Sequence, residues 1–162
     1  VHDDIGAENL GLRYHDDVMG DLTLNVGVMR FSQNGQGTIL LNFRYPQGVN
    51  VQAVTTQVQR HLGDFAATVE VWPGGMEPHL VPETDELVGT LSLVYAKQTG
   101  MYMNPRTSNG GSYARLLKRG VAFGGQFPDV PVTSHQANES TPVANLTRSM
   151  AIFAESLLKL AK

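Results

Sequence analysis

Leu22-Thr23-Leu24-Asn25-Val26-Gly27-Val28-Met29, then Asn34-Gly35, then Thr38-Ile39-Leu40-Leu41-Asn42-Phe43-Arg44-Tyr45: these runs decide the fold. In the first, Leu22, Leu24, Val26 and Val28 alternate with other residues, the period-two signature of a strand with one dry face. Asn-Gly between two apolar runs is a strong hairpin signal, because both residues tolerate positive φ. The two runs are therefore expected to pair antiparallel. Pro46 stops the second run. Asn50 is then placed to cap a helix in which Val51, Val54, Val58 and Leu62 recur every three or four residues before Gly63 ends it. Thr68-Val69-Glu70-Val71-Trp72 reads as one more strand, closed by Pro73-Gly74-Gly75. Strand, strand, helix, strand is most of a split β-α-β sandwich. Its open sheet edge calls for a missing element or a second copy to cover it.

Outward from this core, residues 1–20 show no regular apolar period, and His15-Asp16-Asp17 with Met19-Gly20 reads as irregular chain leading to a turn. Residues 1–75 are expected to form one domain portion, residues 76–84, with Pro78 and Pro82, a linker, and residues 85–162 a second portion. There Thr84 or Asp85 caps a helix through Leu87, Val88, Leu91, Val94 and Tyr95, with Gly100 as its C-cap. Residues 104–111 read as a loop, 113–119 as a short helix, and 121–123 as a short buried strand. From Pro142 an amphipathic helix sets Leu146, Met150, Phe153, Leu157 and Leu160 in one stripe, with Ile152 beside it. The expected class is α/β in the α+β sense, a partial ferredoxin-like ββαβ unit followed by a helix-strand-helix portion.

Composition narrows the function classes. The 162 residues hold 12 Lys and Arg against 15 Asp and Glu, a net charge of −3, which argues against a nucleic-acid partner or an anionic membrane surface. With no cysteine there is no disulfide scaffold, thiol chemistry or thiolate metal site, so a metal would be held by His, Asp or Glu. No apolar run approaches the roughly 18 residues of a membrane span, and a soluble cytoplasmic protein is the expectation.

Four places could carry chemistry. His135 lies in the loop string Ser134-His135-Gln136-Ala137-Asn138-Glu139, where an imidazole rooted on rigid elements can be aimed at a metal ion; a solvated loop histidine has the same spacing. Glu139 can support His135 as an outer-shell carboxylate or simply start the helix that follows. Gly110-Gly111-Ser112 precedes a short helix, so its N–H groups suit a carboxylate, though a plain turn reads the same way; it lacks a P-loop lysine and the third glycine of a dinucleotide fingerprint. Arg44, at a strand end beside aromatics, is either a surface charge or a carboxylate clamp. The other histidines, His2, His15, His61 and His79, read as structural or solvated.

Phe43-Arg44-Tyr45-Pro46, Val94-Tyr95-Ala96-Lys97-Gln98-Thr99-Gly100, Gly110-Gly111-Ser112-Tyr113-Ala114-Arg115, Gly120-Val121-Ala122-Phe123-Gly124 and His135-Gln136-Ala137-Asn138-Glu139 occur in the order found in bacterial dipeptidases. The chain resembles the carboxyl-terminal part of a dipeptidase V-like enzyme of the zinc aminoacylase and carboxypeptidase superfamily. That resemblance implies a dinuclear zinc catalytic domain with an inserted ferredoxin-like lid, hydrolysing dipeptides or short peptides with a metal-activated water. By the same resemblance His135 matches the last zinc ligand, Arg44 the lid arginine that binds the substrate carboxylate, and Gly110, Gly111 and Ser112 the loop lining the substrate backbone. The remaining ligands, the general base and the lid histidine have no matching motif here. The resemblance therefore implies a fragment that lacks the amino-terminal part, contains no catalytic residue, carries an incomplete site for two zinc ions, and is inactive alone. The rival reading is a free-standing, non-catalytic ferredoxin-like module that binds a small anion or oligomerises through its sheet edge.

Overall fold

The structure is a computed structural model that describes residues 6–108 and 110–161. It has mixed helices and antiparallel strands in two compact units. The first takes in the described residues up to His79 together with Thr107 and Ser108; the second comprises Leu80–Arg106 and the chain from Gly110 onward.

The first unit is built on a hairpin and a helix. Strand β3 (Thr23–Phe31) pairs antiparallel with β4 (Gly37–Arg44), running from Thr23 opposite Arg44 to Phe31 opposite Gly37. Their connection is a five-residue loop, residues 32–36, in which Gly35 takes φ +80° and the Ser32 N–H donates to Gln36 O at 2.8 Å. The register slips between Val26 and Val28, leaving Gly27 as the extra residue of a bulge. The expected dry stripe consequently fades along β3: Leu22 and Leu24 are buried, Val26 is half-buried and Val28 is exposed.

Helix α1 (Val51–Leu62) begins where expected, because Asn50 accepts from the N–H groups of both Gln52 and Ala53, and Gly63 ends it at φ +55°. Val58 is buried and Val54 packs beside it against Leu22, Leu24, Leu41 and Phe43, closing the core of the unit. The amino-terminal stretch is more ordered than its composition suggests. A short 3-10 turn (Glu8–Leu10) buries Leu10, and β1 (His15–Asp16) pairs with β2 (Gly20–Asp21) across a tight turn. Asp16 Oδ1 holds that turn by accepting from the N–H groups of Val18 and Met19. Thr107 returns to this unit and donates to Val18 O at 3.1 Å.

Residues 68–72 are not a strand. A strand needs a partner ladder, and here a side chain supplies the bonds instead: Gln59 Nε2 donates to Ala67 O and Gln59 Oε1 accepts from Val69 N–H, at 3.1 and 3.0 Å.

In the second unit α2 (Glu86–Thr99) runs from its Asp85 cap to Gly100 at φ +72°, burying Val88, Leu91, Val94 and Tyr95. Arg119 grips the capping carboxylate through Nε and Nη2, with contacts of 2.7–3.0 Å. Helix α3 (Val143–Leu160) packs on α2 around Tyr95, Phe127 and Ile152, with the Tyr95 and Phe127 rings stacked at 6.2 Å. Residues 121–123, expected as a strand, pair with no strand among the described residues; Phe123 instead meets Phe153 edge-on at 5.7 Å. The helix expected over 113–119 is a single 3-10 turn (Tyr113–Leu116).

The apolar stripe of α3 is exposed, and the residues beside it are buried. Asn145, Ile152 and Ser156 are its buried residues, while Leu146, Met150, Phe153, Leu157 and Leu160 are exposed. The inner face is polar but satisfied. Arg148 lies 3.9 Å over the Phe127 ring and pairs with Asp129, Ser156 donates to Ile152 O, and Glu155 accepts from Lys97 and Gln98 of α2.

Candidate functional site

Arg44 closes β4 in the first unit. Phe43 and Tyr45 turn into the core on either side of it, so strand alternation sends Arg44 to the opposite, exposed face. A carboxylate clamp needs a guanidinium on a rigid element, and the end of β4 is such a position.

The other candidates belong to the second unit. Gly111 and Ser112 are exposed and lead into the 3-10 turn at Tyr113; Gly110 is likewise exposed. The four-residue turn offers little of the dipole expected of a helix start. Ser112 makes no side-chain capping bond, and its carbonyl accepts from Arg115 N–H at 3.3 Å. A Cβ added at Gly111 would meet Arg115 at an ordinary 3.6 Å, so close packing inside this unit does not account for a glycine there.

His135 is exposed and sits in the left-handed region at φ +63°, as does Asn138 at +62°. Each such non-glycine residue costs about 1–3 kcal/mol and persists where surrounding bonds over-determine the backbone. The bonds are present. Thr133 and Ser140 close the base of the loop: Thr133 Oγ1 donates to Ser140 O and Ser140 N–H donates back to Thr133 Oγ1, at 2.9 and 3.1 Å. Inside it, Glu139 Oε2 accepts from the backbone N–H of His135 at 3.2 Å. Glu139 thus bonds the backbone amide of His135, and that bond does not orient the imidazole.

Zinc takes three or four protein ligands. Among the described residues no three His, Asp or Glu side chains gather to hold a metal ion. The described residues alone therefore gather no zinc centre, with His135 an exposed loop imidazole. The groups with displaced pKa values hold structure together. Asp21 pulls the His15 pKa up through a 2.6 Å contact, the Arg119 fork and the Leu87 N–H draw Asp85 down, and Lys97 with Gln98 draws Glu155 down.

Comparison with known proteins then fixes the relationship. No family model matches the chain. It is 40% identical over 162 residues to the Beta-Ala-Xaa dipeptidase of Lactobacillus delbrueckii subsp. lactis, an alignment covering 99% of this chain and 34% of that protein. This chain is homologous to bacterial proteins named as dipeptidases. A protein named as a putative dipeptidase from Staphylococcus saprophyticus is 36% identical over 95% of this chain and 33% of its own length, and another so named from Staphylococcus haemolyticus is 33% identical over 99% and 34%. The chain thus spans about a third of the length of the dipeptidases it matches. No helix among the described residues is long and apolar enough to cross a membrane.

Proposed function

We propose that this chain is the carboxyl-terminal part of a zinc-dependent dipeptidase, joining the later part of a substrate-binding lid to the returning part of a catalytic domain. The observation that carries the reading is the similarity to dipeptidases along 95–99% of the chain at 33–40% identity. Arg44 holds the free carboxylate of a dipeptide or short peptide. Gly110, Gly111 and Ser112 line the peptide backbone, where amide groups and a hydroxyl suit amide partners. His135 supplies one metal ligand of a site that needs two zinc ions and ligands from the rest of the protein, and Glu139 holds the backbone from which that imidazole projects. The chain alone is inactive because the other ligands and the general base come from the rest of the protein, and its setting is cytoplasmic.

The test is a chimera in which this chain replaces the matching third of the Lactobacillus delbrueckii enzyme. Hydrolysis of a β-alanyl dipeptide is expected, abolished by chelator and by His135→Ala. Arg44→Ala should raise KM by about ten- to a hundredfold, the worth of a charged hydrogen bond. A folded chimera that hydrolyses equally well with His135→Ala overturns the assignment, as does chelator-sensitive hydrolysis by this chain alone for its inactivity.

A further inference from the structure

On α3, Val143, Leu146, Met150, Phe153, Leu157 and Leu160 follow one another at intervals of three, four, three, four and three residues. That alternation is a heptad seam, the arrangement by which one helix seats another at a shallow angle. All six are exposed, Val143 at 77%, Met150 at 71% and Leu157 at 68%. Three charged residues lie on this helix, and two of them are spent on the inner side: Arg148 on Phe127 and Asp129, and Glu155 on Lys97 and Gln98. The third, Lys159, stands in the last turn, so the outer face carries no charge through its first four turns. A face made for water has the opposite arrangement.

A self-pairing coiled coil would set charges beside its seam to fix partner and orientation. The positions flanking this one are Thr147, Ser149, Ala154 and Ser156, small and uncharged, as suits burial inside a larger domain. The dipeptidases that match this chain are about three times as long. We propose that the outer face of α3 is a seam occupied by a helix from the two thirds of the dipeptidase length that this chain does not span. The inference rests on the reading that the chain is one part of a longer dipeptidase.

The test co-expresses this chain, tagged, with the unmatched two thirds of the Lactobacillus delbrueckii enzyme, and measures capture on the tag and mass by light scattering. A one-to-one complex is expected. Met150→Glu and Leu157→Glu should each cut capture at least tenfold without changing far-UV circular dichroism, while Leu93→Glu, on exposed Leu93 of α2, leaves it unchanged. Equal capture by the seam variants overturns the proposal, as does no capture of the wild type, or a self-dimer that the seam variants convert to monomer. Dipeptide hydrolysis by the complex is scored separately. Seam-dependent capture without hydrolysis leaves the inference standing and counts against the dipeptidase reading; hydrolysis with seam-independent capture does the reverse.

Discussion

Helices α1 and α3 both carry regular apolar stripes, and they dispose of them in opposite directions. On α1 the stripe turns inward, with Val58 buried and Val54 against the β3–β4 hairpin. On α3 the stripe turns outward, and the inner face meets α2 through Ile152 and Glu155, with Arg148, Asn145 and Ser156 also on the inner side. Periodicity reports which face of a helix is dry. It does not report which neighbour dries it, because the hydrophobic effect counts area removed from water and is indifferent to the surface that removes it.

The contrast is broken most directly within α3. Ile152→Ala, which empties a site 2% exposed, should destabilise the second unit by about 2–5 kcal/mol, whereas Leu157→Ala, five residues on, should stay within about 0.5 kcal/mol. Hydrogen exchange along α2 and α3 measures both, and equal losses would mean that the outer stripe already has a partner. A smaller effect sharpens the comparison at the helix starts. Asn50→Ala should cost the first unit about 1 kcal/mol, read as faster exchange in the first turn of α1. Pro142→Ala should cost α3 less than half of that, since Pro142 caps it with no side-chain bond.

The smallest expected effect is a difference in the sign of pH dependence. Glu155 and Asp85 have lowered pKa values, so their contribution to the second unit is present above the ordinary carboxylate value and lost as the pH falls through the lowered one. His15 has a raised pKa, so its contribution to the β1–β2 turn is full below about 6.5 and lost as the pH rises through the raised value. Amide protection relative to the intrinsic exchange rate should therefore fall in residues 15–21 at mildly alkaline pH and hold in α2 and α3, while acid should lower it at the α2–α3 contact. Parallel behaviour of the two regions would show that these pairs do not govern either one.

Features set by local chemistry were legible in the sequence. The β3–β4 pairing, the Asn50 and Gly63 ends of α1 and the Asp85 and Gly100 ends of α2 each depend on a few adjacent residues. The strands expected at 68–72 and 121–123 failed because a strand is half of a pair, and β-prone residues cannot certify the other half. The orientation of α3 did leave a trace: Arg148 and Glu155, seven residues apart, share a face, which is the wrong face for solvent charges once each has a partner. At the candidate site, spacing was enough to put His135 and Glu139 side by side. The left-handed backbone of His135 and the choice of its amide as the Glu139 partner are tertiary outcomes with no local signature.

Gln59 gives the first unit a property that neither its helix nor its hairpin supplies. A glutamine side chain ends in the same carbonyl and N–H pair as a peptide unit, and here it stands as a one-rung substitute for a neighbouring strand beside Ala67 and Val69. The segment is thereby tied to α1 at one rung, with Val71 and Trp72 exposed beyond it. Gln59 therefore occupies the Ala67 carbonyl and the Val69 N–H, backbone groups that a neighbouring strand would otherwise take.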